Sequence, residues 1–333
     1  MKVIFFGTPE IAVPSLEYLI NKPDIEILAV VTQPDKPAGR GKCLTYSSVK
    51  YIASEANYPV FQPVSIRKEP ELIQKLKDLE PDFFITFAFG QILSQEVLDI
   101  PKFGTINLHA SLLPKYRGAN PIQAPIINGD KITGITTMLT EIGVDTGPIV
   151  LQKVIEITEN MDSCELTRII SEISPELLYD SIVGLYNGKI KPILQSHDEA
   201  THAPKVNKDD GIIDWNESAQ QIHNKVRGFK PWPSTYTYIN GVCIKITETR
   251  LNPTIDKENI NSEEIGKIIG KINKGIGVVT GEGVITIKKV QPACKKEMDA
   301  LSWYNGARLL QGSKFKSYCE SEAECTYDCG CDT

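Results

Sequence analysis

Residues 104–118 read GTINLHASLLPKYRG, and this stretch decides how the rest of the chain is interpreted. The apolar run over residues 105–108 predicts a buried strand. Asn107 and His109 lie two positions apart at its end, so the period of two of a strand turns both side chains to the same face. An amide donor and an imidazole at the carboxyl end of a parallel strand can together hold an oxygen atom that gains negative charge.

Strands alternate with helices in the segments before this stretch. Residues 3–6 predict a strand that turns through Gly7 into an amphipathic helix over residues 11–20, and residues 25–31 predict a second strand. This order indicates an α/β fold with a parallel sheet. A single glycine follows the first strand, so the G-x-G-x-x-G fingerprint of dinucleotide-binding proteins is absent.

The length of the chain and the distribution of its charges indicate two domains. A chain of 333 residues with 41% hydrophobic residues can form two domains with sizeable cores. Residues 1–188 carry 23 acidic and 16 basic side chains, whereas residues 189–318 carry 14 acidic and 20 basic ones. We expect a first domain over residues 1–188, a polar linker over 189–208 and a second domain over 209–315. The basic excess of the later region suits a polyanionic partner, although such an excess is often only a solvated surface.

The second region has the pattern of a small β domain. Residues 235–239 and 242–246 alternate in polarity around Asn240-Gly241, a strong hairpin signal. Residues 275–280 and 284–287 repeat the pattern around a glycine-rich turn. Short strands joined by glycine turns predict a small barrel.

The loop over residues 33–42, QPDKPAGRGK, is too polar to be buried. Its basic residues are Lys36, Arg40 and Lys42. From the residues alone, two interpretations are equal: an ordinary mobile connection, or a positively charged arm that contacts a phosphate-bearing partner.

Asp145 lies between two glycines in the segment GVDTG at residues 143–147. The residues alone permit either a simple turn former or a carboxylate that works with Asn107 and His109. The loop over residues 89–93 follows another predicted strand, at a position where α/β sheets bind ligands.

Compartment and metal content are also predicted. The apolar run at the amino terminus is too short for a signal peptide, and no stretch approaches the roughly 20 apolar residues that span a bilayer. We therefore expect a cytoplasmic protein without a membrane partner. Residues 316–333 form an acidic tail that we expect to be disordered. The tail contains four cysteines, Cys319, Cys325, Cys329 and Cys331. Their spacing is not that of a structural zinc site, so we expect no metal.

Several of these segments together resemble the folate-dependent formyltransferases, and within that family the branch that acts on methionyl-tRNA. The resemblance covers about residues 1–315. The segments that carry it are FGTPE at residues 6–10, TQPDKPAGRG at 32–41, NLHASLLPKYRG at 107–118, GVDTG at 143–147, DW at 214–215 and FKPWP at 229–233.

The resemblance implies a Rossmann-like catalytic domain followed by an OB-like β-barrel that binds tRNA. It implies a catalytic set of Asn107, His109 and Asp145, and tRNA contacts from Lys36, Arg40 and Lys42. It also implies a pocket for 10-formyltetrahydrofolate, the formyl donor, with the following lining: Phe87, Ala88, Phe89, Gly90, Gln91, Ile92, Leu93, Ser111, Leu112, Leu113 and Pro114.

The activity so implied is formyl transfer to the α-amino group of methionine on initiator methionyl-tRNA. Asn107 and a protonated His109 would stabilise the oxyanion, and Asp145 would orient His109 and relay the proton of the amine. The family pattern differs here at Asn120, where a small residue is usual. Two alternatives remain open: a formyltransferase that acts on a sugar nucleotide or glycinamide ribonucleotide, and a non-catalytic RNA-binding protein. Nothing in the sequence requires more than a monomer.

Overall fold

The computed structural model describes residues 1–38, 43–252, 261–309 and 311–318. The chain forms two compact units. The first comprises Met1–Ile122, Ile132–Glu156 and Leu166–Pro204; the second comprises Gln123–Lys131, Ile157–Glu165 and the described residues from Lys205 onward. The domain boundaries at 188, 208 and 315 remain predictions, and the four cysteines of the predicted tail lie outside the described residues.

The strands of the first unit are β1 (Lys2–Gly7), β2 (Glu26–Val31), β3 (Lys36–Ala38), β4 (Cys43–Thr45), β5 (Val60–Phe61), β6 (Phe83–Phe87), β7 (Thr105–His109), β8 (Arg117–Gly118), β9 (Ile132–Leu139), β10 (Ile149–Glu156) and β11 (His202–Ala203). The strands of the second unit are β12 (Thr235–Ile239), β13 (Val242–Leu251), β14 (Ile268–Ile272), β15 (Gly275–Val279), β16 (Val284–Pro292) and β17 (Met298–Asp299). The α-helices are α1 (Val13–Ile20), α2 (Ser48–Glu55), α3 (Pro70–Asp78), α4 (Gln95–Leu98), α5 (Gln123–Ile127), α6 (Ser163–Tyr186), α7 (Ala219–Gly228) and α8 (Ala300–Gly306).

A seven-stranded sheet in the order β10-β9-β7-β6-β1-β2-β5 forms the centre of the first unit. The five neighbouring strands β7, β6, β1, β2 and β5 are parallel, which confirms the predicted α/β fold. β9 runs antiparallel to both of its neighbours, β7 and β10, a reversal that the sequence pattern did not indicate because hydrophobic periodicity carries no strand direction. β1, β6 and β7 end at one edge of the sheet, where ligands bind in such folds.

Burial on both faces explains why the central strands are apolar throughout. All residues of β6 are buried, and Phe5, Phe6, Phe83 and Phe84 are fully buried. Parallel strands covered on both sides have continuous apolar runs of this kind. The rigid centre fixes the positions of the residues that follow β6 and β7.

The second unit contains an antiparallel sheet in the order β12-β13-β16-β15-β14, with β17 paired to β16. Asn240 and Gly241 have φ values of 49° and 75° in the turn from β12 to β13, as a tight hairpin requires. Trp215 and Phe315 stack in the core at 5.3 Å between ring centroids. The predicted small antiparallel β domain is confirmed.

Arg227 on α7 explains why segments 123–131 and 157–165 belong to the second unit. The side chain is 7% exposed and donates hydrogen bonds to the carbonyl oxygens of Ile126, Thr158 and Met161, at 3.4, 3.4 and 3.0 Å. Asn224 Oδ1 accepts two more, at 3.2 and 2.9 Å. Buried carbonyls need such donors, so one guanidinium ties both segments to α7.

The segment over residues 33–42, predicted as a loop, is in part a strand. Lys36–Ala38 form β3, which pairs antiparallel with β4. The pairing is not visible locally, because proline in residues 34–37 discourages a strand assignment and is tolerated only at sheet edges.

Candidate active site

β7 carries Asn107 and His109 to the carboxyl edge of the sheet. The predicted strand over residues 105–108 is therefore confirmed, with one more residue at its end. His109 is 5% exposed and Asn107 is half-buried. Because both occupy odd positions of the strand, they share one of its faces.

Thr86 on the neighbouring strand fixes the orientation of the Asn107 amide. In the β6–β7 register the two residues are direct partners, and Thr86 Oγ1 donates a 2.8 Å hydrogen bond to Asn107 Oδ1. Among the described residues, Asn107 Nδ2 donates no hydrogen bond. The bond to Oδ1 thus leaves the NH₂ group as the available end of the amide.

The two ring nitrogens of His109 face two acceptors. Nε2 lies 2.9 Å from the Tyr116 carbonyl oxygen, and Nδ1 lies 3.5 Å from Asp145 Oδ2. A carbonyl oxygen only accepts, so Nε2 carries a proton, and Nδ1 faces a group that also accepts when ionised. The Nδ1–Oδ2 separation is an ion-pair distance, longer than that of the hydrogen bond at Nε2.

Asp145 is held in a turn of unusual backbone geometry. Its φ is 53°, in the left-handed region. Its Oδ2 accepts a 2.8 Å hydrogen bond from the Gly118 amide. Gly118 has a φ of 116°, and a Cβ there would lie 2.7 Å from the Ala203 carbonyl oxygen, so only glycine fits at this point. The carboxylate is thereby fixed beside His109.

The residues predicted to line the folate pocket after β6 divide by exposure. Ala88 and Gly90 are exposed, with φ values of 49° and 79°, and Ile92 is 66% exposed. Phe89 and Leu93 belong to a buried core cluster. The remaining two are buried Phe87 and half-buried Gln91, whose amide bonds the backbone of residues 63 and 66. The Phe89 carbonyl oxygen already accepts hydrogen bonds from other side chains, so the exposed residues Ala88 and Gly90 offer the accessible backbone here.

The loop over residues 111–114 is built around internal hydrogen bonds. Ser111 is fully buried and its hydroxyl donates to the Lys115 carbonyl oxygen at 2.6 Å. Thr136 Oγ1 accepts from the Leu113 amide at 3.1 Å. Leu112 and Pro114 are half-buried. These bonds fix the shape of the loop.

The basic loop residues are only partly described. Lys36 is exposed at the start of β3, whereas Arg40 and Lys42 lie outside the described residues. Within the described ranges, no group of three or more His, Cys, Asp or Glu side chains could hold a metal ion. None of the helices in these ranges combines the length and the hydrophobicity that a membrane-spanning segment needs.

Several residues that support the predicted set are not indicated by the sequence pattern. Thr86, the Tyr116 carbonyl and the Gly118 amide each fix one member of the predicted set, and Arg117 and Gln195 extend this network. The sequence signal for Thr86 was a hydroxyl in an otherwise apolar strand. The contacts of the others depend on chain segments that are distant in sequence.

The fold agrees with comparisons to known proteins. The profile of the family described as formyl transferase matches residues 1–182, and the profile of the formyl transferase C-terminal domain matches residues 205–308. The chain belongs to the formyl transferase family.

Relatives that align with nearly the whole chain identify the branch of the family that it resembles. A methionyl-tRNA formyltransferase of Clostridium perfringens (strain SM101 / Type A) is 48% identical over 95% of this chain and 100% of its own length. One of Clostridioides difficile (strain 630) is 46% identical over 94% of this chain and 99% of its own. The resemblance inferred from the motifs is confirmed.

Solved structures confirm the fold. WlaRD, a sugar 3N-formyl transferase, superposes with a TM-score of 0.65 at 21% identity, covering 89% of this chain and 99% of its own. A methionyl-tRNA formyltransferase from Clostridium thermocellum gives a TM-score of 0.52 at 15% identity, covering 76% of this chain and 95% of its own.

Proposed function

We propose that this protein transfers the formyl group of 10-formyltetrahydrofolate to the α-amino group of methionine on initiator methionyl-tRNA. The observation that carries the proposal is the 48% identity, along the full length of the relative, to a methionyl-tRNA formyltransferase. The site at the carboxyl edge of the sheet supports it, because its groups suit a reaction in which a carbonyl oxygen gains charge.

We assign Asn107 Nδ2 as one donor to that oxygen. The support is the bond from Thr86 Oγ1 to Asn107 Oδ1, which leaves the NH₂ end free to donate. The donor is already oriented before substrate binds, which is the condition for effective oxyanion stabilisation.

We assign His109 Nδ1 as the second donor. Nε2 bonds the Tyr116 carbonyl at an ordinary distance, whereas the 3.5 Å separation of Nδ1 from Asp145 is longer than a hydrogen bond. A proton on Nδ1 can therefore be shared with a substrate oxygen, while the carboxylate stabilises the positive ring.

Asp145 would orient His109 and relay the proton that the amine loses. An aminoacyl amine has a pKa at or below roughly 8, so much of it is nucleophilic at neutral pH and attacks the formyl carbon directly. No enzyme nucleophile is required. The Ser111 hydroxyl, which donates to the Lys115 carbonyl, is accordingly assigned to pocket structure.

We place the donor along residues 87–93 and 111–114. The exposed backbone at Ala88 and Gly90 lies at the end of β6, and β6 pairs with the strand that carries Asn107. Free backbone groups at such a strand end suit a planar heterocycle. When bound, the donor supplies the formyl carbonyl; these residues orient it toward Asn107 and His109.

We assign tRNA binding to the basic residues of the 189–318 region together with Lys36, Arg40 and Lys42. Phosphate contacts make affinity depend on salt, so the Michaelis constant for tRNA should rise steeply as salt increases. We place the reaction in the cytoplasm, and we propose a monomer because the assigned catalytic residues lie together within the first unit of a single chain.

A substrate panel tests the function. The protein is incubated with labelled 10-formyltetrahydrofolate and, in separate reactions, methionyl-tRNA, a sugar nucleotide or glycinamide ribonucleotide. We expect label on methionyl-tRNA. Label on either of the other acceptors would replace the proposal with the corresponding alternative, and tRNA binding without any product would indicate a non-catalytic RNA-binding protein.

A further inference from the structure

A buried polar network lies behind the Asp145 turn. It contains Arg117, which is 4% exposed, and Gln195, which is 7% exposed. Gln195 lies in the segment predicted as a linker, yet residues up to Pro204 belong to the first unit. A buried glutamine in such a segment requires an explanation, because a buried amide is costly unless it is hydrogen-bonded.

Every hydrogen-bonding group of the Gln195 amide is used. Its Oε1 accepts from Arg117 Nε and Nη2, at 3.1 and 2.7 Å. Its Nε2 donates to the carbonyl oxygens of Asp145 and Gly147, at 2.9 and 2.7 Å. The cation on one side and the carbonyls on the other fix the orientation of the amide.

The apolar side chains of the turn that Gln195 contacts contribute little to holding it in place. Ile142 and Val144 are 66% and 63% exposed, so the apolar side chains of the turn do not anchor it in the core. Asp145 has a left-handed φ of 53°, a conformation that is less favourable than the right-handed one for residues other than glycine. The bonds from Gln195 hold the backbone at the carbonyl of Asp145 itself and at the carbonyl of Gly147, two residues further along the turn.

Arg117 connects the Gln195 hydrogen bonds to the second contact of the Asp145 carboxylate, the bond from the Gly118 amide. Its guanidinium binds Gln195 and lies 3.3 Å from His197 Nδ1, while the next residue, Gly118, donates its amide to Asp145 Oδ2. The backbone and the side chain of Asp145 are therefore positioned from one short strand, β8.

We propose that Gln195 is a positioning residue for the Asp145 carboxylate, and that the segment predicted as a linker thereby completes the active site. The inference deepens the proposed function and rests on it where formyl transfer is the measurement. Gln195 touches no substrate atom in this scheme; it acts through Asp145.

Gln195→Glu tests the role with little change of shape. The carboxylate still pairs with Arg117, but it presents an acceptor to the two turn carbonyls in place of two donors. We expect kcat to fall about 10- to 100-fold, as small misplacements of reacting groups do, with unchanged KM for both substrates. Gln74→Glu, the same chemical change on the exposed face of α3, should leave kcat unchanged.

A double-mutant comparison separates positioning from general loss of structure. If Gln195 acts through Asp145, Gln195→Glu should cost nothing further in an Asp145→Asn background. The inference would be overturned if the loss of kcat in the double variant equalled the product of the two single losses. It would also be overturned if the kcat of Gln195→Glu equalled that of the wild type.

A spectroscopic measurement does not depend on activity. The chain has four histidines, so ¹⁵N-histidine labelling gives a small set of ring signals that single substitutions can assign. We expect Gln195→Glu and Asp145→Asn to shift the His109 signals alike and to leave those of His223, in the second unit, in place. Unmoved His109 signals would refute the inference. Failure of the wild type to formylate methionyl-tRNA would refute the proposed function, while this measurement would still decide the role of Gln195.

Discussion

The hydrogen bond from Thr86 to Asn107 can be removed without touching the predicted catalytic set. Thr86→Val replaces the hydroxyl with a methyl group of similar size at a position that is 7% exposed. The amide of Asn107 then loses the contact that distinguishes its oxygen from its nitrogen. Rotation by 180° presents the oxygen, an acceptor, to the developing oxyanion.

The expected loss follows from this one bond. A neutral hydrogen bond contributes a net 0.5 to 1.5 kcal/mol, roughly, so losing its whole contribution at the transition state slows transfer about 2- to 13-fold. Removing the donor itself with Asn107→Ala should cost roughly 100- to 1,000-fold. The rate of formyl transfer by Thr86→Val should therefore lie clearly between the rates of the wild type and of Asn107→Ala.

Single-turnover formyl transfer, with protein in excess over methionyl-tRNA, measures the chemical step. Thr133→Val is the matched control, because Thr133 is a buried strand threonine whose hydroxyl has no hydrogen-bond partner in the described part of the chain. It should transfer at the wild-type rate. An unchanged rate for Thr86→Val would refute the orienting role, and so would a further loss when Thr86→Val is added to Asn107→Ala.

Three further predictions concern stability. Burial lowers the pKa of His223 from 6.5 to about 4, so as the pH falls the unfolded state takes up the proton before the folded state does. The contribution of His223 to the free energy of unfolding is therefore complete above about pH 6.5 and decreases toward pH 4. At pH 5 the loss is about 2 kcal/mol. Urea unfolding at pH 7 and pH 5 should show this loss in the wild type and not in His223→Gln; equal pH dependence would contradict it. Arg227→Met leaves several buried oxygens without donors and should lower the urea-derived free energy of unfolding by about 3 kcal/mol, whereas an unchanged midpoint would disprove the tie to α7. Asn120 has a buried Oδ1 without a partner among the described residues, so Asn120→Ala should keep or raise the melting temperature, while Asn224→Ala, which removes a satisfied amide, should lower it.

The sequence by itself determined the fold class and which residues to examine. Apolar runs over residues 3–6 and 105–108 indicate buried strands because period and polarity are local properties. Asn240-Gly241 indicates its hairpin because few residues adopt the turn geometry. The family followed from short motifs. Local patterns could not give the reversed direction of β9.

Only the tertiary structure decided what surrounds each predicted site residue. Thr86 is 21 positions from Asn107, and Gln195 is 50 from Asp145. Such contacts arise from strand register and from the pairing of residues 193–203 with β10 and β8 inside the first unit, neither of which is encoded in a sequence window. The assignment of residues 189–208 as a linker used polarity alone. Polarity does not distinguish an amide that faces water from one whose bonds are satisfied inside the protein.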